Sequence, residues 1–331
     1  MNRRIDWAVV AALAILGGCN GGLPSGSSAQ LFDRSASFEA RNGPPTIGEP
    51  KRQRSWMAPG ARHQNLLYLS DGGGYVYVYA YPSGKLEGTL TGFSLPQGEC
   101  VDAAGDVFIT NTNLSQILEF AHGGTQPIAT LNDSGEYPDG CAVDPTTGDL
   151  AVTNLSAYGS GKTNSVSIYS DAQGTPTLYT DPDIYFMFFC GYDNKGDLFV
   201  DGQHFGGAGR GFQLAELPTG SSTFTNIAMP VVVDFPGGVQ WDGKYVAVGD
   251  QQADVIYHVR VVGITATVIG TTPLTGGLDI VQFWIQHGMV VGPDYLSSDA
   301  GLWKYPAGGS EIKAFPDPDG FAEGSAISLG R

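Results

Sequence analysis

The chain has few basic residues, few cysteines and no long apolar run. Only 17 of its 331 residues are Lys or Arg, against 33 Asp or Glu, and the formal net charge is −16. From residue 63 onward nine basic residues face 29 acidic ones, a net charge of −20. Such a domain repels nucleic acid and anionic lipid headgroups. We therefore expect no nucleic-acid partner and favour cations, cationic partners or neutral ligands.

Cysteine is too scarce for a disulfide scaffold or a zinc module. The four cysteines are Cys19, Cys100, Cys141 and Cys190. The last three permit at most one internal bond, and their spacing fits no zinc template. Cys141 and Cys190 fall at equivalent repeat positions, whereas Cys100 lies one position off and should face the other way. A Cys141–Cys190 bond and free buried thiols both stay open, because the bond needs Cα atoms about 5.5–6 Å apart.

The only extended apolar stretch lies at the N-terminus. It runs from Trp7 to Leu16 after a basic start, far short of the ~20 residues of a membrane-spanning helix. This pattern predicts a signal peptide over residues 1–18. The following Leu16-Gly17-Gly18-Cys19 resembles a bacterial lipobox, which implies a lipid on Cys19. The alternative is an ordinary signal peptide that happens to carry a Cys.

Asn20 follows the Cys, and by the resemblance this implies an outer-membrane protein that faces the periplasm or the surface. The next segment is rich in Gly, Ser, Pro, Gln and Arg and has no sustained period of 2 or 3.6. That composition buries little apolar surface. We expect a flexible tether over 19–62 and a folded part over 63–331.

A repeated unit dominates the folded part. One copy reads Pro96-Gln97-Gly98-Glu99-Cys100-Val101-Asp102 and is followed by Gly-Asp-Val-Phe-Ile-Thr-Asn. A second copy covers Pro138–Asp144 and is followed by Gly-Asp-Leu-Ala-Val-Thr-Asn. Further copies centre on Asp193 and Asp242, and a degraded one on Phe283. The steps between the aligned Asp residues are 42, 49 and 49 residues. Each copy has room for four short strands, which is the period of a β-propeller blade.

The two ends of this region complete each other. Glu323–Leu329 reads as a first strand without a second, and Asn65–Asp71 as a second strand without a first. Pairing them removes two open sheet edges. The sequence therefore predicts an all-β, six-bladed β-propeller with four antiparallel strands per blade, closed by its C-terminal strand.

The Pro-x-Gly-x-x-x-Asp and Gly-Asp-Leu-Phe-Val patterns resemble NHL repeats and the related regucalcin/gluconolactonase-like six-bladed propellers. The resemblance covers about residues 63–331 and is specific for architecture rather than function, because this fold hosts many activities. Members of the lactonase-like branch place metal ligands at the residue before the repeat Gly. The resemblance thus implies a possible Ca²⁺ site at the mouth of the central channel, with Gln97, Asp139 and Glu323 as candidate ligands.

The other positions of this ring, Phe188, Gly237 and Val281, offer no ligand side chain. Turn capping and channel lining are the structural alternative for the three polar residues. Glu99 and His204 are candidate acid–base groups, since imidazole titrates near neutrality; a solvated loop is the alternative setting for His204. The aromatic run Tyr185–Phe189 is read as inter-blade core, with a stacking platform as the alternative.

A second ring closes the second strand of each blade with an Asx residue. Asx side chains at strand exits bond their own backbone two residues on, so we favour a structural role and keep ligand binding as the alternative. The six positions are Asp71, Asn111, Asn154, Asp201, Asp250 and Asp294.

Three functions compete. The first is a monomeric, non-enzymatic module that binds a small molecule or an envelope protein while a lipid holds it to the membrane. The second is a metal-dependent lactonase or esterase at the channel mouth. The third is a structural subunit that docks through its faces. No complete catalytic constellation appears in the sequence, which favours the first.

Overall fold

The computed structural model describes residues 54–155, 164–206 and 209–330. The predicted signal peptide, the lipid site at Cys19 and the tether up to residue 53 lie outside these ranges. The described helices are single 3₁₀ turns, Ala61–His63, Thr112–Leu114 and Ser170–Ala172. Within the described ranges no helix is long and apolar enough to cross a membrane.

The remaining elements are strands, introduced here in chain order by blade. Blade 1 contains β1 (Trp56–Met57), β2 (Leu66–Asp71), β3 (Tyr75–Ala80) and β4 (Lys85–Thr91). Blade 2 contains β5 (Pro96–Val101), β6 (Val107–Asn111), β7 (Gln116–Phe120) and β8 (Pro127–Asn132). Blade 3 contains β9 (Pro138–Val143), β10 (Leu150–Asn154), β11 (Ser165–Tyr169) and β12 (Thr177–Tyr179).

The second half of the chain repeats the arrangement. Blade 4 contains β13 (Phe186–Tyr192), β14 (Leu198–Gly206), β15 (Gly209–Leu217) and β16 (Thr225–Ile227). Blade 5 contains β17 (Pro236–Trp241), β18 (Val246–Asp250), β19 (Val255–Val262) and β20 (Thr265–Thr275). Blade 6 contains β21 (Trp284–Gln286), β22 (Met289–Asp294), β23 (Asp299–Lys304) and β25 (Lys313–Pro316), while β24 (Gly309–Ser310) pairs in parallel with β20.

The chain closes as predicted. The last strand, β26 (Ala322–Ser328), pairs with β2 from Leu66↔Ser328 to Asp71↔Ala322 and becomes the inner strand of blade 1. Six antiparallel sheets therefore form a ring, and the six-bladed β-propeller is confirmed. The propeller also takes in residues before His63, because β1 adds a fifth strand to blade 1 beside β4. Ala61 is fully buried there.

The repeat Gly has a packing reason. A Cβ atom added at Gly98 would lie within 3.0 Å of the Asp139 carbonyl on the next inner strand, and one added at Gly140 within 3.0 Å of the Phe188 carbonyl. Gly324 meets the Gln97 carbonyl in the same way. Adjacent inner strands thus approach so closely that only glycine fits between their backbones. The core lies between the blades, where alternating apolar residues from neighbouring sheets meet.

Side chains of the inner strands point alternately to the preceding and the following blade. Cys190 Sγ lies 3.9 Å from the Ala151 carbonyl of the preceding blade, and Cys141 Sγ lies 3.9 Å from the Phe108 carbonyl of its preceding blade. Cys100, one position further along its strand, points forward instead.

The disulfide joins Cys100 to Cys141, with Cα atoms 5.7 Å apart, and Cys190 is free and buried. The Cys141–Cys190 pairing weighed from the sequence is therefore wrong, as is the view that both cysteines stay free. Equivalent positions face the same way round the ring and cannot meet. Cys100 and Cys141 bond because one faces forward and the other backward across a single interface.

Candidate functional site

Two ends of the propeller differ in how they are built. The turns between second and third strands and the connections between blades meet at one end, which we call the loop face. Its described segments are residues 72–74, 92–95, 112–115, 133–137, 180–185, 228–235, 251–254, 276–280, 295–298 and 317–321. The opposite face carries the turns between first and second and between third and fourth strands. Ligands of β-propellers commonly bind at the mouth of the central channel, at one end of the inner strands.

The Asx residues of the second ring lie at the strand ends beneath the loop face, and several of them accept hydrogen bonds from its main chain. Asp250 accepts hydrogen bonds from the main-chain N–H groups of Asp234 (2.9 Å) and Gln252 (3.2 Å), so it ties a connection to a turn. Asp294 does the same with Leu278 (2.8 Å) and Leu296 (3.1 Å).

The other ring members make comparable bonds. Asn111 accepts from the N–H of Ser94 at 2.7 Å, and Asp71 from that of Gly73 at 2.7 Å. Asn154 differs, because its amide donates to Ser165 and Ser167 on the next strand. All six side chains are buried. Their geometry matches the structural reading, and a direct ligand role for them stays a prediction.

Two of the three candidate metal ligands lie close together. Asp139 is buried, and burial followed by the negative charge of Glu323 raises the pKa of its carboxyl well above the usual range. Gln97 occupies the intervening inner strand, and its Oε1 atom accepts a hydrogen bond from the Thr112 hydroxyl at 2.8 Å. A cation would relieve the repulsion between Asp139 and Glu323, and carboxylate and amide oxygens suit Ca²⁺. Asp139, Glu323 and Gln97 are the side chains at this mouth that could hold a cation.

Asp201, a member of the Asx ring for which the sequence left ligand binding as the alternative, lies close enough to Asp139 for the Asp139 charge to affect it. One of its carboxyl oxygens accepts the N–H of Phe189 at 2.9 Å, while Oδ2 is buried without a hydrogen-bond partner. Burial and then the charge of Asp139 raise its pKa. The sequence could not predict this proximity, because the distance between the two side chains depends on the orientation of blade 3 relative to blade 4.

Glu99 lies elsewhere. Its side chain points back into the interface between blades 1 and 2, where the Ser70 hydroxyl donates to Oε1 at 2.7 Å and the Ala326 N–H also donates. The residue is fully buried, and burial raises its pKa well above the usual range. The structure therefore does not bring this candidate acid–base group together with Asp139.

His204 is also separate. It lies on β14 beside a cleft of about 430 Å³ at the outer part of blade 4, with Asp183, Tyr185 and Gln213 among the lining residues. Its ring stands over Gly211 on the paired strand. The aromatic run beside it is core as expected, since Phe186, Met187, Phe188 and Phe189 are buried and only Tyr185 is exposed.

A further acidic group occupies the opposite face. Among the described residues, Asp102, Asp106 and Glu119 bring ligand atoms within 4.8 Å of one another. Burial and the two aspartates raise the pKa of Glu119. This group lies in a turn of blade 2, away from the channel mouth predicted for a metal.

Gln282 was missed entirely by sequence reasoning. Its amide crosses from blade 6 to the inner strands of blades 1 and 2, accepting from the N–H groups of Ser325 and Glu99, both at 3.1 Å, and donating to the Glu99 carbonyl at 3.0 Å. Gln282 stands where the other repeats have Gly. Its side chain is long enough to reach from blade 6 to the inner strands of blades 1 and 2. The channel is therefore bridged by a side chain below its mouth.

Comparison with solved structures supports the propeller architecture. No family model and no curated protein matches the chain. A chain in the crystal structure of a nidogen/laminin complex is 12% identical with a TM-score of 0.64, and the match covers 81% of this chain and 99% of that one. A protein of unknown function from Bacteroides caccae is 9% identical with a TM-score of 0.59, covering 80% and 99%. A streptogramin B lyase structure matches at 15% identity, with a TM-score of only 0.46 over 76% and 74% of the two chains.

The shared feature is the fold. Identities this low carry nothing about activity, and membership of the NHL or regucalcin/gluconolactonase-like families stays a prediction.

The loop face carries six of the fourteen large apolar side chains that are exposed among the described residues. Exposed apolar side chains lie on its successive segments: Leu114, Tyr185, Val232, Leu278, Leu296 and Phe321. Val232 is 79% exposed, and the other five lie between 40% and 54%. Exposed apolar side chains that cluster on one face commonly mark an interaction site. The sequence could not reveal this cluster, because the residues come from five blades and gather only through closure of the ring.

Proposed function

We propose that this protein is a non-enzymatic binding module of the cell envelope that engages another protein through its loop face. The observation that carries the proposal is the set of exposed apolar side chains on that face. The candidate catalytic groups support it as well, because Glu99 and His204 lie apart from Asp139 and from each other. Of the neighbours in fold, one chain comes from a nidogen/laminin complex, which is in keeping with a protein-binding role.

A set of serine substitutions tests the proposal. Val232, Leu278 and Leu296 are each more than half exposed, so changing them to Ser should leave stability within about 0.5 kcal/mol. The matched control changes Ile128 and Leu178, exposed on the outer strands of blades 2 and 3. After chemical crosslinking of intact cells, we expect a stoichiometric partner with the wild type and the control but not with the loop-face variant. Equal recovery with all three proteins would contradict the proposal.

We further propose that the protein is exported and anchored by a lipid on Cys19. The motif Leu16-Gly17-Gly18-Cys19 supports this, and a tether before the propeller suits an anchored module. Metabolic labelling with a radioactive fatty acid should mark the wild type and not the Cys19→Ser variant. Labelling of both, or of neither, would contradict the lipid anchor.

The metal-dependent hydrolase is retained as a second candidate on one observation, the buried Asp139 beside Glu323. Carboxylates crowded in this way commonly hold a cation. Metal analysis of the purified protein, and melting curves with and without EDTA, test it. A bound divalent ion and a lower melting temperature in EDTA are expected if the candidate holds, and an ion-free protein with an unchanged melting temperature would eliminate it.

A further inference from the structure

The described basic side chains lie mostly at one end of the propeller, whereas acidic side chains lie at both ends. Seven of the eight described Lys and Arg side chains lie at the opposite face or on the strand ends leading to it: Arg62, Lys85, Lys195, Lys244, Arg260, Lys304 and Lys313. The eighth, Arg54, precedes β1 at the outer edge of blade 1, beside the end of β4 that leads to the loop face. The loop-face segments named above contain no Lys, Arg or His, although His204 lies near the loop-face end of β14, beside Asp183 and Tyr185.

The same segments carry nine acidic residues. Asp133, Asp181, Asp279 and Asp317 are buried, and the other five, Glu136, Asp183, Asp234, Asp254 and Asp319, are at least partly exposed. Beneath them lie the acidic side chains of the channel mouth, Asp139, Asp201 and Glu323. Carboxylates of one sign over a low-dielectric interior produce a negative potential that attracts cations and steers cationic partners.

Two local observations show how crowded these carboxyls are. The side chains of Asp71 and Asp317 share a hydrogen bond, and burial together with the Asp317 charge raises the pKa of Asp71. Independently, Asp201 Oδ2 is buried within the mouth and accepts no hydrogen bond.

The apolar side chains form a continuous arc among these acids. The Leu278 N–H binds Asp294 at 2.8 Å, and the Tyr295 N–H binds the Asp279 carbonyl at 3.1 Å, so the segments that carry Leu278 and Leu296 touch. The Tyr295 ring lies 6.2 Å from that of Phe321. The arc therefore runs from blade 5 to blade 1, with Asp279, Asp317 and Asp319 in its segments.

We infer that the loop face docks a basic protein segment whose apolar side chains rest on this arc while its Lys or Arg side chains meet the surrounding carboxylates. Charge complementarity favours this occupant, because the acidic face repels acidic protein surfaces and anionic membranes. The inference rests on the proposed function and adds the chemistry of the partner.

The test uses the full-length purified protein and a fluorescein-labelled twelve-residue peptide of Lys and Leu separated by Ser. One control peptide has Glu in place of each Lys, and another has Ser in place of each Leu. Fluorescence anisotropy should show saturable binding of the Lys/Leu peptide alone, weakening as salt is raised. Absence of saturable binding, or equal binding of the control peptides, would overturn the inference.

Two protein variants of equal charge locate the site. Asp234→Asn, Asp254→Asn and Asp319→Asn together remove three charges from the loop face. Asp149→Asn, Asp171→Asn and Asp197→Asn remove three from the opposite face. We expect at least a tenfold weaker Kd for the first variant and no more than a twofold change for the second. Equal weakening by both would show a long-range effect of net charge and would overturn docking at this face.

The chain's own basic residues provide the rival occupant. Lys51 and Arg52 precede the described part, and their substitution by Ser in the full chain should leave peptide binding unchanged. If the substitution made the Kd for the Lys/Leu peptide tenfold tighter, the loop face would be occupied by the chain's own segment, and the proposal of an external partner would be overturned. If crosslinking from the loop face succeeds while the Lys/Leu peptide fails to bind, the inference falls and the proposed function stands.

Discussion

At the scale of single residues, the repeat Gly carries the architecture. Its role could be anticipated from the recurrence of Pro-x-Gly, but not its cause, which is the contact between neighbouring inner strands. Gly98 packs against the main chain of Asp139 and Gly140. Asp201 is a second example. Its position in the repeat predicted that it ends a strand, but its proximity to Asp139 depends on how blades 3 and 4 pack and could not be predicted.

Gly98→Ala tests this contact. The added methyl group would fall within 3.0 Å of main-chain atoms, so we expect a loss of about 1–3 kcal/mol in the free energy of unfolding. Gly60→Ala is the matched control, because Gly60 has a φ of −91° and nothing within 4 Å of the added carbon. Denaturant titration of both variants measures the difference. Equal stability of the two variants would contradict close packing of the inner strands.

Asp71 provides a test by pH. Burial, then the charge of Asp317, raises its pKa from 3.8 to about 8. The folded state therefore holds a proton that the unfolded state releases, so this stabilisation is full below about pH 4 and is lost as pH rises towards 8. Asp71→Asn removes the titration. We expect a shallower fall in stability between pH 5 and 8 than in the wild type, measured by denaturant unfolding at each pH, and an unchanged slope would refute the pairing.

At the scale of elements, the strands and their order followed from the repeat, whereas contacts between them did not. The four-strand period and the complementary ends led directly to β26 as the inner strand of blade 1. The pairing of Cys100 with Cys141 escaped sequence reasoning because it depends on which way each inner-strand side chain faces. From the sequence, Cys100 is an unsuitable partner because its side chain should face away from those of Cys141 and Cys190. That opposite orientation is the reason why Cys100 can bond to Cys141 of the next blade.

The disulfide links the inner strands of blades 2 and 3 across 41 residues. Its removal should lower the free energy of unfolding by about 2–4 kcal/mol. We expect reductant to destabilise the wild type and Cys190→Ser alike, and to have no effect on Cys141→Ser. A Cys190→Ser variant that no longer responds to reductant would place the bond elsewhere.

Closure can be tested by shortening the chain. A protein ending at Gly320 lacks β26 and leaves the inner edge of β2 unpaired. Because an open inner edge exposes unsatisfied main-chain groups and apolar surface, we expect loss of the cooperative unfolding transition. A protein ending at Leu329 keeps β26 and should melt like the full chain. A cooperative transition in the shorter protein would argue against closure by the C-terminal strand.

At the scale of the whole molecule, acidic residues lie at both ends of the propeller, whereas most of the described basic side chains lie at one end. The count of 29 acidic residues after residue 62 was visible in the sequence, but composition does not say where charges lie. Closure of the ring brings the connections of six blades to one end and leaves seven of the eight described Lys and Arg side chains at or near the other. The exposed arc from Leu278 to Phe321 arises in the same way, from segments more than 40 residues apart.

Site-specific photocrosslinking in intact cells tests the central claim, that the loop face is the binding surface, most directly. A photoreactive amino acid placed at Leu278 reports on the loop face, and one at Leu178 reports on the outer edge of blade 3; both side chains are exposed. We predict one discrete crosslinked partner, rich in Lys or Arg at the linked segment, from position 278 and none from 178. Crosslinks from 178 alone, or the same products from both positions, would contradict the account.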